Sequence, residues 1–366
     1  MKGRKVRYYL KDSFLHNQHE KNAGSKARND VEAILISEGY KGLEIKVDNW
    51  YQMNFFKAQQ HKYSATKSVF DQLGSGDELV IQFPIIHHTF FIAQLIKQAQ
   101  KRGAKFYLLI HDIETLRHAA GSEVKLRHKL RNYFQEKKAL MSVDGIIVHN
   151  DIMKSVLANQ GFPADKMVSL EIFDYLIPNF QEKSLPQKEQ AIIVAGNLNP
   201  TKSGYLYSLP ESPAYNLYGV GYDESRALNN ITYFGSFLPD DLPGALEGSF
   251  GLVWDGDSSE TCQGTYGNYL RFNNSHKASL YLASGFPLVV WKESALAHFV
   301  LDKQCGIVVD SLHDLQKILD ELTLQDYNEL LDNARHVGVA LREGAYLKAA
   351  LMKLKWLYKK NSLSAS

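Results

Sequence analysis

Short apolar runs alternate with polar loops and helix-period segments along the first half of the chain. We interpret five of these runs as strands, at 6–10, 43–47, 78–86, 105–110 and 144–149. Uninterrupted apolar runs of this length are typical of parallel strands that are buried on both faces. Strands that alternate with helices in this way predict an α/β fold built on a parallel sheet.

The same pattern starts again after residue 190. A segment rich in Pro, Gln and Lys, IPNFQEKSLPQKEQ, precedes the apolar run Ala191–Ala195, and such a composition is typical of a linker. The chain has 366 residues, and a domain size of about 150 residues suggests two domains. We predict Rossmann-like domains at 1–178 and 188–345, with a C-terminal helix at 346–366 that packs back on the first domain.

The stretch 250–291 carries the clearest candidate chemistry. An apolar run, Phe250–Trp254, is followed by Asp255, Gly256 and Asp257, then by a loop with two glycines, and then by NNSHK at a predicted helix start. At the carboxyl edge of a parallel sheet, the free N–H groups and the dipole of a helix N-terminus favour an anion. The pattern predicts a phosphate site, and an ordinary turn between strand and helix is the alternative.

Charged residues also follow two strands of the first domain. The fourth run ends in HDIETLR, which places Asp112, Glu114 and Arg117 where α/β enzymes keep acid and base groups. A helix N-cap made by Asp112 is the alternative interpretation. The loop and helix start after the first run bring Lys26 and Arg28, which either meet a phosphate or are solvated charges.

Composition limits the class of protein and its partners. A formal net charge of +2 gives no global field that would demand nucleic acid. The two cysteines, Cys262 and Cys305, have neither zinc spacing nor the density of a disulfide scaffold, and the adjacent His87 and His88 are a poor metal pair. No apolar run approaches the ~20 residues needed to cross a bilayer. We expect a cytoplasmic protein whose basic segment 125–141 faces anionic lipid at the inner face of the membrane, faces a polyanionic acceptor, or is a solvated face.

A family resemblance runs through nearly the whole chain. The segments NAGSKARND, LIHDIETLR, EIFDYL, AGNLNPTK and FGLVWDGDSSETCQGTYGNYLRFNNSHKASLYL occur in matching order. They resemble bacterial galactofuranosyltransferases of O-antigen and capsule synthesis and the glucosyltransferases that extend N-acetylglucosamine on serine-rich repeat adhesins. The resemblance implies a GT-B glycosyltransferase, in which two Rossmann-like domains face each other across a cleft. It also implies that a UDP-sugar is held mainly by the second domain, and that glucose or galactofuranose is transferred to a sugar of a growing glycan.

The resemblance implies roles for individual residues. Lys202 and Lys277 would bind the diphosphate. The other implied donor contacts are Gly196 and Asn197 at the nucleotide, Tyr218 and Gly219 at the uracil, Asn274 and His276 at the ribose or phosphate, and Ser25 closing from the first domain. Direct inverting transfer needs a base on the acceptor domain that takes the proton of the attacking hydroxyl. We choose Asp112 for this role, with Glu114 as the second choice.

The residues Asp255, Gly256 and Asp257 spell DxD, the metal signature of the other glycosyltransferase architecture. In GT-B enzymes lysines and a helix N-terminus usually hold the diphosphate, so we expect no metal and no other cofactor. The expected partners are the UDP-sugar, a saccharide or glycoprotein acceptor, and further copies of the chain in a homo-oligomer. The alternative function is a catalytically silent glycan-binding or chaperone subunit of a glycosyltransferase complex.

Overall fold

A computed structural model of the chain describes residues 5–11, 23–46, 52–85, 90–119 and 136–364. Two sequence predictions fall largely outside these ranges. His87 and His88 lie outside the described residues, and so does most of the basic segment 125–141, of which only 136–141 is described.

The first domain is built on six parallel strands in the order β2-β1-β3-β4-β5-β6. The strands are β1 (Arg7–Lys11), β2 (Lys41–Glu44), β3 (Glu78–Phe83), β4 (Lys105–Ile110), β5 (Gly145–Val148) and β6 (Met167–Ser169). The helices are α1 (Ala23–Ser37), α2 (Phe55–Phe70), α3 (Ile92–Lys101), α4 (Glu114–Ala119), α5 (136–142) and α6 (Asp151–Asn159). Every residue of β3 and β5 is buried, as the uninterrupted apolar runs predict.

Successive residues of these central strands pack into different cores. In β3, Leu79 and Ile81 join the cluster on one face of the sheet, whereas Val80 joins the cluster on the other face. In β4, Leu108 and Leu109 divide in the same way. The sheet is therefore covered by packed side chains on both faces, because side chains alternate along a strand.

The second domain repeats the plan with six parallel strands in the order β12-β11-β10-β7-β8-β9. The strands are β7 (Ile192–Asn197), β8 (Tyr215–Val220), β9 (Ile231–Tyr233), β10 (Gly251–Val253), β11 (Leu288–Trp291) and β12 (Gly306–Val309). The helices are α7 (Pro200–Ser203), α8 (Leu242–Ala245), α9 (Gly264–Tyr269), α10 (His276–Ala283), α11 (Leu296–Lys303), α12 (Leu315–Glu321), α13 (Leu324–Arg342) and α14 (Ala345–Ser364). The two parallel sheets confirm the predicted α/β class.

The last helix connects the two domains. Helix α14 follows α13 of the second domain and packs on β5, β6 and α1 of the first domain. Its buried face, which includes Leu347, Leu351 and Leu354, joins the core cluster of the first domain. The carboxylate of Asp174 accepts hydrogen bonds at the start of α14, at 2.7 Å from the backbone nitrogen of Leu347. None of the helices described is both long and apolar enough to span a bilayer.

Candidate active site in the cleft between the domains

A cleft of ≈ 810 Å³ lies between the two domains, at the carboxyl ends of their strands. It brings together most of the residues that the sequence singles out. Its lining includes Asp112, Gly196, Asn197, Lys202, Tyr218, Gly219, Asn274, His276 and Lys277. Two predicted residues, Ser25 and Glu114, are not part of this lining. Clefts at the carboxyl edges of parallel sheets are where α/β proteins bind ligands, so the cleft is the candidate active site.

The floor of the cleft holds a buried ion pair. Lys277, in the first turn of α10, places Nζ 2.8 Å from Oδ1 of Asp255, and the two side chains are only 10% and 8% exposed. The same nitrogen donates to the carbonyl oxygen of Trp254 at 3.2 Å. Burial lowers the pKa of Lys277, the carboxylate of Asp255 offsets part of that effect, and nearby Lys202 adds to the lowering. Lys202 and Lys277 line the same cleft, so two cations face one space.

Lys202 approaches the cleft from α7. The side chain of Asn199 caps this short helix by accepting a hydrogen bond from the backbone nitrogen of Thr201 at 3.1 Å. Nζ of Lys202 lies 5.7 Å from the centre of the Tyr266 ring. Within the described part of the chain Lys202 forms no ion pair, so its charge is available to a bound anion.

Two glycines clear the backbone surface beside these lysines. Gly196 and Gly219 lie opposite each other in β7 and β8, with φ angles of +127° and +153°. A Cβ on Gly219 would lie 1.8 Å from the carbonyl oxygen of Gly196, and a Cβ on Gly196 would lie 3.4 Å from Cε of Lys277. Only glycine fits at position 219, and the bare backbone lets a ligand approach the strand ends closely.

Aromatic side chains form the wall on the β8 side. Tyr218 is fully buried and stacks on Phe234 with ring centres 4.9 Å apart. Its hydroxyl accepts a hydrogen bond from the backbone nitrogen of Glu247 at 3.1 Å. Phe237 packs against the same tyrosine and lines the cleft beside Val220. Tyr218 therefore supports an apolar wall from behind, while Phe237 and Val220 form the surface of that wall.

Asn274 links the two domains. Its Oδ1 accepts from Nδ2 of Asn150 at 2.7 Å, and its Nδ2 donates to the backbone oxygens of His149 and Glu171. Its backbone nitrogen donates to Nδ1 of His149 at 3.0 Å. Contact of this amide with a ribose or phosphate, as predicted from the sequence, would require these hydrogen bonds to be exchanged. In this structure the residue holds the start of α10 against the first domain.

His276 lies at the same domain boundary. Its ring centre is 5.1 Å from that of Tyr175, and within the residues described its buried Nε2 has no hydrogen-bond partner. Burial, and to a smaller extent the charge of Lys26, lower the pKa of His276 to about 4. The ring is therefore neutral at neutral pH. It can exchange a hydrogen bond with a ligand but brings no positive charge to a phosphate.

The first domain meets the cleft through Lys26 and Arg28 rather than through Ser25. Ser25 is buried in α1, whereas the two cations line the cleft. Nζ of Lys26 lies 2.8 Å from a carboxylate oxygen of Asp30 and 2.8 Å from one of Asp240 in the second domain. This contact joins the two domains at the cleft. The sequence offers no local sign of it, because Asp240 is more than 200 positions away.

The acid/base candidates surround Arg117. Its Nη2 lies 2.6 Å from Oδ1 of Asp112, and its Nη1 lies 2.9 Å from Oε1 of Glu114. The first N–H groups of α4, from Glu114 and Thr115, bond instead to the carboxylate of Glu136, at 2.8 and 3.1 Å. The alternative role of Asp112 as the N-cap is therefore wrong, since Glu136 performs it.

The DxD residues are separated by their surroundings. Asp255 is paired with Lys277, whereas Asp257 is exposed. Among the described residues there is no group of three or more His, Cys, Asp or Glu side chains that could hold a metal ion.

Comparison with known proteins identifies the family. The profile "Glucosyltransferase 3-like, N-terminal domain" matches residues 8–172, and "Glucosyltransferase 3-like, C-terminal domain" matches residues 192–354. The chain is 32% identical to "Beta-1,6-galactofuranosyltransferase WbbI" of Escherichia coli strain K12 over 352 residues, 94% of this chain and 97% of WbbI. The chain belongs to the Glucosyltransferase 3-like family. This confirms the predicted resemblance, and membership in the family makes the protein a glycosyltransferase.

Another curated relative and two solved structures support the family and the fold of this Glucosyltransferase 3-like chain. It is 25% identical to "Glucosyltransferase 3" of Streptococcus gordonii over 89% of this chain and 92% of that protein. Among solved structures, sucrose-phosphate synthase from Thermosynechococcus elongatus is similar with a TM-score of 0.60, 13% identity and coverage of 99% and 100% of the two chains. Anabaena HepE in complex with UDP-glucose is similar with a TM-score of 0.55 and 11% identity, and the match covers 99% of this chain and 100% of HepE. These likenesses in fold confirm the predicted GT-B architecture.

Proposed function

We propose that the enzyme transfers a hexosyl group, glucose or galactofuranose, from a UDP-sugar to a hydroxyl group of a sugar in a growing glycan. The observation that carries this proposal is the pair of lysines, Lys202 and Lys277, beside the bare strand ends at Gly196 and Gly219. Two relatives are named as a galactofuranosyltransferase and a glucosyltransferase, and HepE was solved with UDP-glucose. These names support glucose and galactofuranose as candidates for the transferred sugar and UDP as the nucleotide of the donor.

On the donor side, we infer that the diphosphate lies between the two ammonium groups and the N-terminus of α10. The cap residue of this helix, Ser275, makes no side-chain cap, so free backbone N–H groups face this end of the cleft. As the bond from the sugar to the diphosphate breaks, charge grows on the departing UDP, and fixed cations stabilise that charge. Because Asp255 is held by Lys277, we propose that no metal takes part.

On the acceptor side, we propose Asp112 as the general base. Its carboxylate lines the cleft and is oriented by Arg117. The acceptor oxygen attacks the anomeric carbon on the face opposite UDP, its proton passes to Asp112, and the bond to the diphosphate oxygen breaks. The anomeric configuration is inverted in such a direct displacement. Glu114, bonded to the same guanidinium, has the weaker claim because it does not line the cleft.

We also propose an acceptor class, an oligomeric state and a membrane contact. The acceptor is a saccharide or a glycoprotein, and the enzyme works as a homo-oligomer with a peripheral contact to the inner face of the membrane. The membrane contact is supported by the basic composition of segment 125–141. Light scattering of the purified chain tests the oligomer, because a mass of one chain at all concentrations would contradict it.

The function is tested with purified protein, a panel of UDP-hexoses that includes UDP-glucose and UDP-galactofuranose, and saccharide acceptors. We expect transfer of one of these sugars, release of UDP, the same rate in EDTA, and a product of inverted configuration. Absence of UDP release with every donor would overturn the proposal. Loss of activity in EDTA that added divalent metal restores would overturn the metal-independent mechanism alone.

A further inference from the structure

An exposed aromatic cluster lies at the rim of the first domain, outside the cleft. Its members are the following phenylalanines at the starts of α2 and α3, with their exposed fractions: Phe55 (56%), Phe56 (83%), Phe90 (39%) and Phe91 (49%). The ring centres of Phe55 and Phe90 are 5.6 Å apart, so the two helices contribute to one surface. Four exposed aromatic side chains in one cluster cost free energy in water, and such clusters mark interaction sites.

A basic stripe continues the cluster along α3. Positions 91, 94, 97, 98 and 101 recur at the helical spacing that puts them on one face, and they span about 15 Å along the helix axis. Lys97 and Lys101 on this face line a shallow groove together with Lys138 and Met141. None of these three lysines forms an ion pair with any residue in the described ranges. We call the four phenylalanines and the three lysines the rim surface.

The charge of the rim surface has one sign. Neither α2 (FFKAQQHKYSATKSVF) nor α3 (IAQLIKQAQK) contains an acidic residue, and none lines the groove. Lys57 is exposed in the first turn of α2, next to the exposed phenylalanines. Exposed aromatic rings, beside cations that form no ion pair with the described residues, are the two features that bind a protein to the interface of an anionic bilayer.

We propose that the rim surface docks on a membrane that contains anionic phospholipid, with the phenylalanine rings inserted at the headgroup level and the lysines on the phosphates. A neutral glycan would use the rings but would leave the lysine charges unused. A soluble polyanion would bind the lysines but would leave the rings in water. A bilayer interface uses both, so the observations favour it over these partners.

Docking through the rim surface gives the enzyme a definite orientation on the membrane. The meaning of this orientation for catalysis rests on the proposed glycosyltransferase function. Phe90 and Phe91 belong to the connection that follows β3, and Pro84 at the end of β3 lines the cleft. The start of α3 and the cleft therefore lie at the same edge of the first sheet, and we place the first-domain side of the cleft towards the bilayer. An acceptor that is attached to a lipid would reach Asp112 from that side.

The test is cosedimentation of the full chain with vesicles of phosphatidylcholine alone or mixed with phosphatidylglycerol. We expect binding to the mixed vesicles that weakens with salt. Replacing Lys97, Lys101 and Lys138 by Ser should weaken it on the order of a hundredfold. The variant F55S/F56S should weaken it about tenfold. The control K292S/K303S/K317S makes the same change of net charge on the second domain, and L301S/L324S removes exposed apolar side chains there. Both controls should bind as the wild type.

Several outcomes would overturn the proposal. These are no binding to mixed vesicles, equal binding to both vesicle types, or equal losses in the rim variants and the controls. In a vesicle-free assay with a soluble acceptor, a raised KM in F55S/F56S would assign the rings to the acceptor instead. A reduced mass in light scattering would assign them to a second copy. Vesicle binding without sugar transfer by the wild type would overturn the proposed function and leave the membrane surface intact.

Discussion

The ammonium nitrogen of Lys277 lies 2.8 Å from Oδ1 of Asp255, and both side chains are about nine-tenths buried beneath the cleft. Lys277 therefore contacts the carboxylate of Asp255 and, in our proposal, also the anion that binds in the cleft. Asp255 holds the ammonium group in place before a ligand arrives. Its charge also offsets part of the effect of burial, which lowers the pKa of the lysine.

Replacing Lys277 by Ala should reduce both catalysis and stability. Loss of a charge-assisted contact with the diphosphate should lower kcat/KM roughly tenfold to a hundredfold. The carboxylate of Asp255 would be left buried without its cation, which costs about 3 kcal/mol of the free energy of unfolding. Steady-state kinetics and chemical denaturation measure the two effects.

The double variant K277M/D255N separates these effects. It removes the unpaired buried charge, so its stability should return towards that of the wild type. Its kcat/KM should remain as low as that of K277A, since the Lys277 ammonium group is absent in both variants and only Lys202 is left to bind the diphosphate. Wild-type kinetics in either variant would remove Lys277 from the donor site.

Asp112→Asn tests the proposed base. A general base contributes ~10²-fold or more, so turnover should fall at least that far while UDP affinity is kept. Because Glu136, not Asp112, caps α4, the variant keeps this helix cap and should lose only the ion pair with Arg117, worth about 1 kcal/mol or less in the free energy of unfolding. Glu114→Gln is the matched control, since it contacts the same Arg117 but does not line the cleft. A D112N enzyme with more than about a tenth of wild-type turnover would exclude the role.

Gly219→Ala should disrupt the strand ends beneath the donor. The added Cβ would lie 1.8 Å from the carbonyl oxygen of Gly196, and the φ angle of +153° disfavours any L side chain. We expect a loss of more than about 3 kcal/mol in the free energy of unfolding and no measurable UDP binding by calorimetry. Gly244→Ala is the control, because within the described residues no atom outside its own helix turn lies within 4 Å of its added Cβ. Equal stability of the two variants would contradict the close approach of β7 and β8.

Acidification should weaken the domain boundary through His149. Its Nε2 donates to the backbone oxygen of His111 and its Nδ1 accepts from Asn274, so only the neutral ring satisfies both bonds. Burial accordingly lowers the pKa of His149 to about 4. Between that value and the unfolded value of about 6.5, the unfolded chain binds more protons, so this contribution is present above pH ~6.5 and is lost as the pH falls to ~4.

The measurement is the thermal unfolding temperature between these pH values for the wild type, His149→Gln and His298→Gln. The contribution of His149 amounts to roughly 3 kcal/mol over the full range. His149→Gln should therefore show a shallower decline on acidification than the wild type. The exposed His298 serves as the control and should show the wild-type slope. Equal slopes in all three proteins would contradict the role of His149.

The sequence by itself determined the fold and the edge on which the site lies. Buried parallel strands leave uninterrupted apolar runs, and the residues directly after them must lie at the carboxyl edge of the sheet. Local patterns therefore suffice to predict two parallel sheets and to place Gly196 and Lys277 at the edge where the cleft lies. The place of Lys26 and Arg28 after the first strand left two interpretations open, phosphate contacts or solvated charges. Both residues line the cleft and are buried, so the solvated alternative is wrong, and the phosphate contact stays a prediction.

Only the tertiary structure decided which partners these side chains have. Asn274 bonds to Asn150 and Glu171, more than 100 positions away, and Lys26 bonds to Asp240 across the cleft. Likewise Glu136, rather than the neighbouring Asp112, caps α4. A hydrophobic period reports which face of an element is buried, but it carries no information about which distant element covers that face. The contacts that join the two domains depend on how the sheets pack against each other, so they emerge only when both domains are assembled.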